Sequence, residues 1–332
     1  MLKISDKIEV FLHEKQPDLG SQRGVRAKYD IPVGDSLLRE QPVAWILSAS
    51  ERESYCHYCF VELDDVILCS RCKFARYCGE ECKKLDETFH KNECKGLQDL
   101  SPLVPSSSVR LLARMAQLRC EETIVTKAEN KTVETVAFPS KVSELQSNTS
   151  HLAKHQFLSG LETFQSYLRQ SKVPDDVDVA MEIYGQIECN SFDVLDMEQK
   201  SIGAAIFLKA SMFNHSCEAN CIAVFDGNVV EIRSIMEIKA GQECVISYCE
   251  LLAPTHERQK KLMDQFHFTC ICHRCQEHQK MESGKEVKDA KPSDQTKQQS
   301  EQDLEKQSLD MLKEVEELSN NGNILCFYLK NK

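Results

Sequence analysis

Eight metal-type side chains stand in four close pairs between Cys56 and Cys94. Two residues separate Cys56 from Cys59 and Cys69 from Cys72; three separate Cys78 from Cys82 and His90 from Cys94. A pair at such spacing offers two donors from one knuckle or one helical turn, and two pairs close a four-ligand shell. The chemistry this predicts is structural zinc in two tetrahedral sites with no open position. A module of about 40 residues is too small for a sufficient apolar core, so the metal supplies its folding energy. Further on, Asn214-His215-Ser216-Cys217 opens a polar turn after the apolar run 202–213, and Ile246-Ser247-Tyr248 ends a strand-like run from Cys244. Polar side chains in such a place need partners if buried. Cys270, Cys272 and Cys275 give three more thiols, one short of a tetrahedral shell.

The tetrad and Tyr248 resemble the paired signature at the cofactor site of SET-domain protein-lysine methyltransferases. The four pairs match the MYND zinc finger end to end. Together they resemble the SET-and-MYND (SMYD) family over residues 1–280. That resemblance implies an S-adenosylmethionine-dependent protein-lysine N-methyltransferase with three structural zinc ions. It pairs Cys56, Cys59, Cys78 and Cys82 on one zinc, and Cys69, Cys72, His90 and Cys94 on a second. Cys217 supplies the fourth ligand to Cys270, Cys272 and Cys275 on the third. Tyr248 matches the catalytic tyrosine. The cofactor contacts carried over are Ser21, Gln22, Arg23, Asn190, Asn214, His215, Tyr248, Phe266 and Phe268. The family's usual Gly-x-Gly is Gln22-Arg23-Gly24 here. A further family contact, an Asn or His, falls on Glu144 and is not carried over. The finger is implied to bind proline-rich peptides, and the enzyme to act on histone tails or non-histone proteins.

The elements that must position these residues make an α+β chain. The resemblance divides it into residues 1–50 (SET domain, N-terminal part), 51–95 (MYND finger), 96–188 (helical insert) and 189–250 (SET core), followed by 251–280 (zinc-bound post-SET segment) and 281–332 (linker and short helical tail). Ile8-Glu9-Val10-Phe11-Leu12 and 43–47 read as strands, with a loop at Gly20–Ala27 and a turn at Pro32-Val33-Gly34-Asp35. Phe157, Leu158, Leu161, Phe164 and Leu168 follow helical spacing; Pro174-Asp175-Asp176 reads as the start of another helix, with Val177, Ala180, Met181 and Tyr184 on one face. Strands at 221–225 and 229–233 flank the hairpin signal Asp226-Gly227-Asn228, and 238–243 reads as a second turn. In the tail, Leu304, Met311, Leu312, Val315 and Leu318 make one helical stripe. SMYD proteins usually continue into a larger helical domain, so the expectation is a shortened chain.

Composition narrows the partners. The 332 residues carry a net charge of −11, which disfavours a broad nucleic-acid surface and favours basic partners such as lysine-rich tails. From Glu51 to Lys95 there are eight Lys/Arg against ten Asp/Glu, which argues against a phosphate-gripping finger. No membrane-length apolar run and no signal sequence is read, so the expectation is a reducing interior, cytoplasm and nucleus. There the 17 cysteines are expected on metal rather than in disulfides. A second reading stays open beside the enzyme: an adaptor or transcriptional co-regulator that uses the finger and has little or no catalysis.

Overall fold

The computed structural model describes residues 2–13, 23–126, 137–150, 157, 161, 164–170, 173 and 176–285. These residues fall in two compact units, Met1–Cys270 and Ile271–Lys332. Ser21, Gln22 and the tail helix expected at 304–318 lie outside the described residues, as do Leu158, Pro174 and Asp175.

The first unit opens with five short strands: β1 (Lys3–Ile4), β2 (Ile8–Leu12), β3 (Arg23–Ala27), β4 (Ser36–Glu40) and β5 (Ala44–Leu47). The finger follows, with β6 (Ile67–Leu68), β7 (Arg76–Tyr77), α1 (Glu80–Leu85) and α2 (Glu87–Leu100). Helices α3 (Ser107–Thr126), α4 (Gln165–Gln170) and α5 (Val177–Asn190) form the insert. The chain then returns to sheet in β8 (Ser191–Leu195), β9 (Ser201–Ile206), β10 (Cys221–Asp226) and β11 (Val229–Ser234), and closes with α6 (Thr255–Phe266).

Strands from both ends of the unit interleave. One antiparallel sheet runs β1-β4-β11-β10, another runs β5-β9-β8, and β2 pairs with β3. Alternation fixes the buried face: Val230, Ile232 and Ser234 of β11 are buried while their neighbours are partly open. The turn expected at Asp226-Gly227-Asn228 is present, with Gly227 at φ +60°. A Cβ on Gly227 would lie 2.3 Å from the Cys59 carbonyl, so glycine is required by both conformation and space. Asn228 clasps the finger there, its N–H donating to Cys59 O (3.0 Å) and its Nδ2 to Tyr58 O (2.7 Å).

The apolar residues form two cores. One lies among the sheets, around Leu37, Leu38, Phe207, Phe213 and Ile232. The other joins the finger to the helices, around Phe74, Tyr77, Leu97, Leu112 and Ile183. Charge is buried in the second. Glu93 accepts from Arg110 Nε, Arg114 Nη2 (3.0 Å) and Tyr167 OH (3.2 Å), and all four residues are buried. Arg110 donates onward to Leu47 O in β5 (2.9 Å). Burial alone would raise the Glu93 carboxyl, but the two guanidiniums hold it well below the usual carboxylate range.

Two expectations are corrected. The Gly20–Ala27 loop is, from Arg23 on, strand β3, paired residue for residue with β2. The strand expected at 244–248 does not form as a named strand. Its backbone is shared out instead: Cys244 N–H donates to Val25 O (2.8 Å), Ile246 N–H to Asn214 O (2.9 Å), and Val245 O accepts from Cys221 N–H (3.0 Å). Three partners in three segments leave no continuous ladder.

In the second unit, α7 (His273–Lys285) is the helix among the described residues; Gln276 N–H donates to Cys272 O (3.0 Å) in its first turn. Cys272 and Cys275 belong to this unit.

Candidate active site and zinc shells

The two CxxC knuckles of the finger share one backbone geometry. Phe60 N–H donates to Cys56 O and Lys73 N–H to Cys69 O, both at 3.0 Å. The residue after each second cysteine is left-handed, Phe60 at φ +63° and Lys73 at φ +54°. Each knuckle thus turns its two sulfurs the same way. Cys78 stands just before α1, which carries Cys82, and α2 carries His90 and Cys94. The four donors Cys56, Cys59, Cys78 and Cys82 gather in one group, and Cys69, Cys72, His90 and Cys94 in another. The interleaved pairing expected from the resemblance is therefore the one observed. Sγ–Sγ distances are 3.7 Å for Cys59–Cys78, 3.5 Å for Cys78–Cys82 and 3.7 Å for Cys69–Cys94. A tetrahedron with Zn–S bonds of about 2.3 Å spaces its sulfurs about 3.8 Å apart, so the donor sets fit zinc. His90 turns Nε2 to the sulfurs, 3.3 Å from Cys69 and 3.7 Å from Cys72.

A second constellation forms where 214–216 runs beside 246. Asn214 O accepts from Ile246 N–H, Ser216 N–H donates to Ile246 O (3.0 Å), and His215 and Ile246 form a parallel bridge. Asn220 braces the crossing, its Nδ2 donating to Glu243 O and its Oδ1 accepting from Val245 N–H, both at 2.8 Å. This pairing brings His215 to Tyr248. The Tyr248 N–H donates to His215 Nδ1 at 2.9 Å, which fixes the tautomer with hydrogen on Nε2. Nε2 then faces Cys217 Sγ at 3.3 Å. Burial, and after it the charge of Arg258, pushes the His215 pKa down to about 4, so the ring is neutral.

The Tyr248 hydroxyl donates to Phe213 O at 2.7 Å. Desolvation and then the Glu243 charge raise its pKa, so it stays a neutral phenol. Three rings stand around it: Phe266 at 4.8 Å, His215 at 5.3 Å and Phe268 at 6.5 Å between centroids. Phe266 ends α6, and His267 turns the chain left-handed at φ +59°. That single residue lets both phenylalanines face Tyr248. Cys217 and Cys270 lie 3.9 Å apart at sulfur. Arg258, 2% exposed, donates Nε to Cys217 Sγ (3.3 Å) and places a buried cation against the thiol.

A profile of the MYND finger matches residues 56–94. N-lysine methyltransferase SMYD2 of Homo sapiens is 33% identical over 302 residues, covering 89% of this chain and 67% of that protein. The chain belongs to the SMYD family. Histone-lysine N-methyltransferase SMYD3 of Mus musculus is 33% identical over 281 residues, covering 82% of this chain and 63% of the relative. This SMYD chain thus spans about two thirds of the length of those relatives. A crystal structure of the SET domain of LSMT bound to lysine and AdoHcy overlays with a TM-score of 0.42 at 15% identity, over 80% of this chain and 54% of the other; a likeness that weak carries no weight.

Of the SMYD residues expected from sequence, Asn214, His215, Tyr248, Phe266 and Phe268 meet in one place. Arg23 joins them through its carbonyl, which accepts from Asn214 Nδ2 (3.1 Å). Asn190 is 6% exposed, and its Nδ2 donates to Gln146 O (2.8 Å) and Gln186 O (2.6 Å), so it secures the end of α5. Arg258 was not anticipated: an arginine on an amphipathic helix gives no sign that it will turn inward.

Proposed function

We infer that this chain is an S-adenosylmethionine-dependent protein-lysine N-methyltransferase. The observation that carries the reading is the seating of Tyr248: its N–H on His215, its hydroxyl on Phe213 O, its ring among His215, Phe266 and Phe268. S-adenosylmethionine, when bound, supplies an electrophilic methyl on a sulfonium. The substrate lysine must present a neutral ε-amine, and a desolvated channel lowers its pKa from about 10.4. The aromatic walls supply that desolvation and suit a cationic group beside their faces. Tyr248, kept protonated, orients through its oxygen lone pairs rather than acting as a base. Positioning provides most of the remaining rate.

Zinc is proposed in three places. The two finger shells hold one ion each, and Cys217 and Cys270, 3.9 Å apart at sulfur, supply ligands to the third. The substrate is proposed to be a lysine-bearing protein, histone or not, met in cytoplasm and nucleus, and the finger is proposed to take proline-rich segments. The test is methyl transfer from labelled S-adenosylmethionine to histones and a cell lysate, with Tyr248→Phe and an Asn214/His215 double variant in parallel. Incorporation by wild type alone supports the reading. Cofactor binding without transfer supports the adaptor instead.

A further inference from the structure

Asn214 is held by more than its neighbours in sequence. Its Nδ2 lies 2.8 Å from Glu243 Oε1, 3.1 Å from Arg23 O and 3.3 Å from His13 Nε2. His13 Nε2 in turn lies 3.0 Å from the same Glu243 oxygen. A carboxylate and a carbonyl can only accept, so they fix which end of the Asn214 amide is nitrogen. The two amide hydrogens go to Glu243 and Arg23 O, and His13 Nε2–H donates to Glu243. Every hydrogen then has an acceptor, and Oδ1 is turned the other way, outward from the clamp. Space enforces the arrangement. A Cβ on Gly24 would lie 2.6 Å from Glu243 Oε1 and 2.9 Å from Asn214 Nδ2, so the clamp closes over bare backbone. The His13 ring is itself backed by Phe11, 4.6 Å away.

We propose that Glu243 is a positioning residue for the methyl donor, seconded by His13, which locks the Asn214 amide with its oxygen presented to the α-ammonium at the amino-acid end of S-adenosylmethionine. This rests on the methyltransferase reading above. Asn214 touches the ligand; Glu243 and His13 act through it. Glu243 is 25% exposed at its side chain and His13 36%, so both tolerate truncation better than a core residue. An outward oxygen could also accept from the adenine amine, and the choice of probe separates the two.

The experiment is calorimetric binding to the zinc-loaded full chain. One probe is S-adenosylhomocysteine. The other is 5′-deoxy-5′-methylthioadenosine, which keeps adenine, ribose and sulfur but has no amino-acid end. Glu243→Ala removes the shorter of the two acceptor contacts that hold the amide and is expected to weaken S-adenosylhomocysteine by about 10-fold or more, the scale of one hydrogen bond to a charged group. Glu243→Gln still offers an acceptor and is expected to stay within about 3-fold, as is His13→Ala; Glu243→Met, which keeps the bulk of the side chain but offers no acceptor, is expected to weaken binding as Ala does and keeps the test open should Glu243→Ala fold poorly. Methylthioadenosine is expected to bind all variants as it binds wild type. The proposal is overturned if methylthioadenosine loses affinity in step, if Gln is as damaging as Ala (a direct charge contact), or if no variant matters. If wild type binds neither probe, the methyltransferase reading itself fails first.

Discussion

The finger's two zinc shells are built from the same kind of pairs, yet one is wrapped and the other is open. Cys69, Cys72, His90 and Cys94 are all buried; of the other four, Cys56 is buried, Cys59 and Cys82 are half-buried and Cys78 is exposed. The wrapped shell stands beside the buried charges: Glu93 precedes Cys94, and its partners Arg110 and Arg114 come from α3. The open shell leans on the β10–β11 hairpin through Asn228 and Gly227. Ligand spacing therefore specifies that a shell forms, and the surroundings specify how easily it is dismantled and what falls with it.

Metal removal tests this at the largest scale. Structural zinc contributes on the order of 10–16 kcal/mol in isolated fingers. A chromogenic chelator is expected to draw zinc in phases, the Cys78-containing shell first and the buried shell at least about 10-fold more slowly, since exchange of a thiolate ligand requires access. Simultaneous loss from both finger shells would break the comparison. Stripping both is expected to expose residues 51–95 to protease.

Breaking the charge cluster comes next. Glu93→Ala leaves Arg110 buried without a carboxylate and Arg114 with Asp86 alone, 3.6 Å away, which costs about 3–5 kcal/mol. Urea unfolding should read that loss, and zinc release should quicken at the Cys69 shell while the Cys78 shell keeps its rate. An equal change at both shells would mean that the cluster supports the finger as a whole. On the opposite side, Gly227→Ala forces a side chain into a φ +60° turn against Cys59 O, and is expected to cost about 1–3 kcal/mol. Its effect should favour the open shell.

Much of this is legible in the sequence. The spacing of the four pairs predicts two shells, the family resemblance supplies their interleaved pairing, and the Asp226-Gly227-Asn228 signal predicts the hairpin that clasps the finger. Tyr248 and the Asn214 tetrad were found as separate motifs, and they meet through one parallel bridge at Ile246. That bridge was not legible, because the run 244–248 pairs with three segments and has the look of an ordinary strand. Nor were Glu93, Arg110 and Arg114. A charged residue on a helix reads as solvent-facing, and only the assembled second core shows Glu93 shared between the two guanidiniums, with Asp86 3.6 Å from Arg114 beside them. The Glu243 clamp was hidden for a related reason: its partners, His13, Arg23 and Asn214, are spread over some two hundred residues of chain.

The smallest effect is also the sharpest control. Asp176 caps α5, its carboxylate accepting from Asp178 N–H (2.9 Å) and Val179 N–H (3.4 Å). Helix α5 packs on α3, which carries Arg110 and Arg114, but Asp176 has no bond to either shell. Asp176→Ala should cost about 1 kcal/mol in urea unfolding. If burial and the Glu93 cluster are what guard the inner zinc, its release rate should not change in this variant. Faster release from the Cys69 shell would mean that the stability of the insert, transmitted through α3, sets the difference between the two shells, and the charge cluster would then be only the route by which that stability reaches the metal.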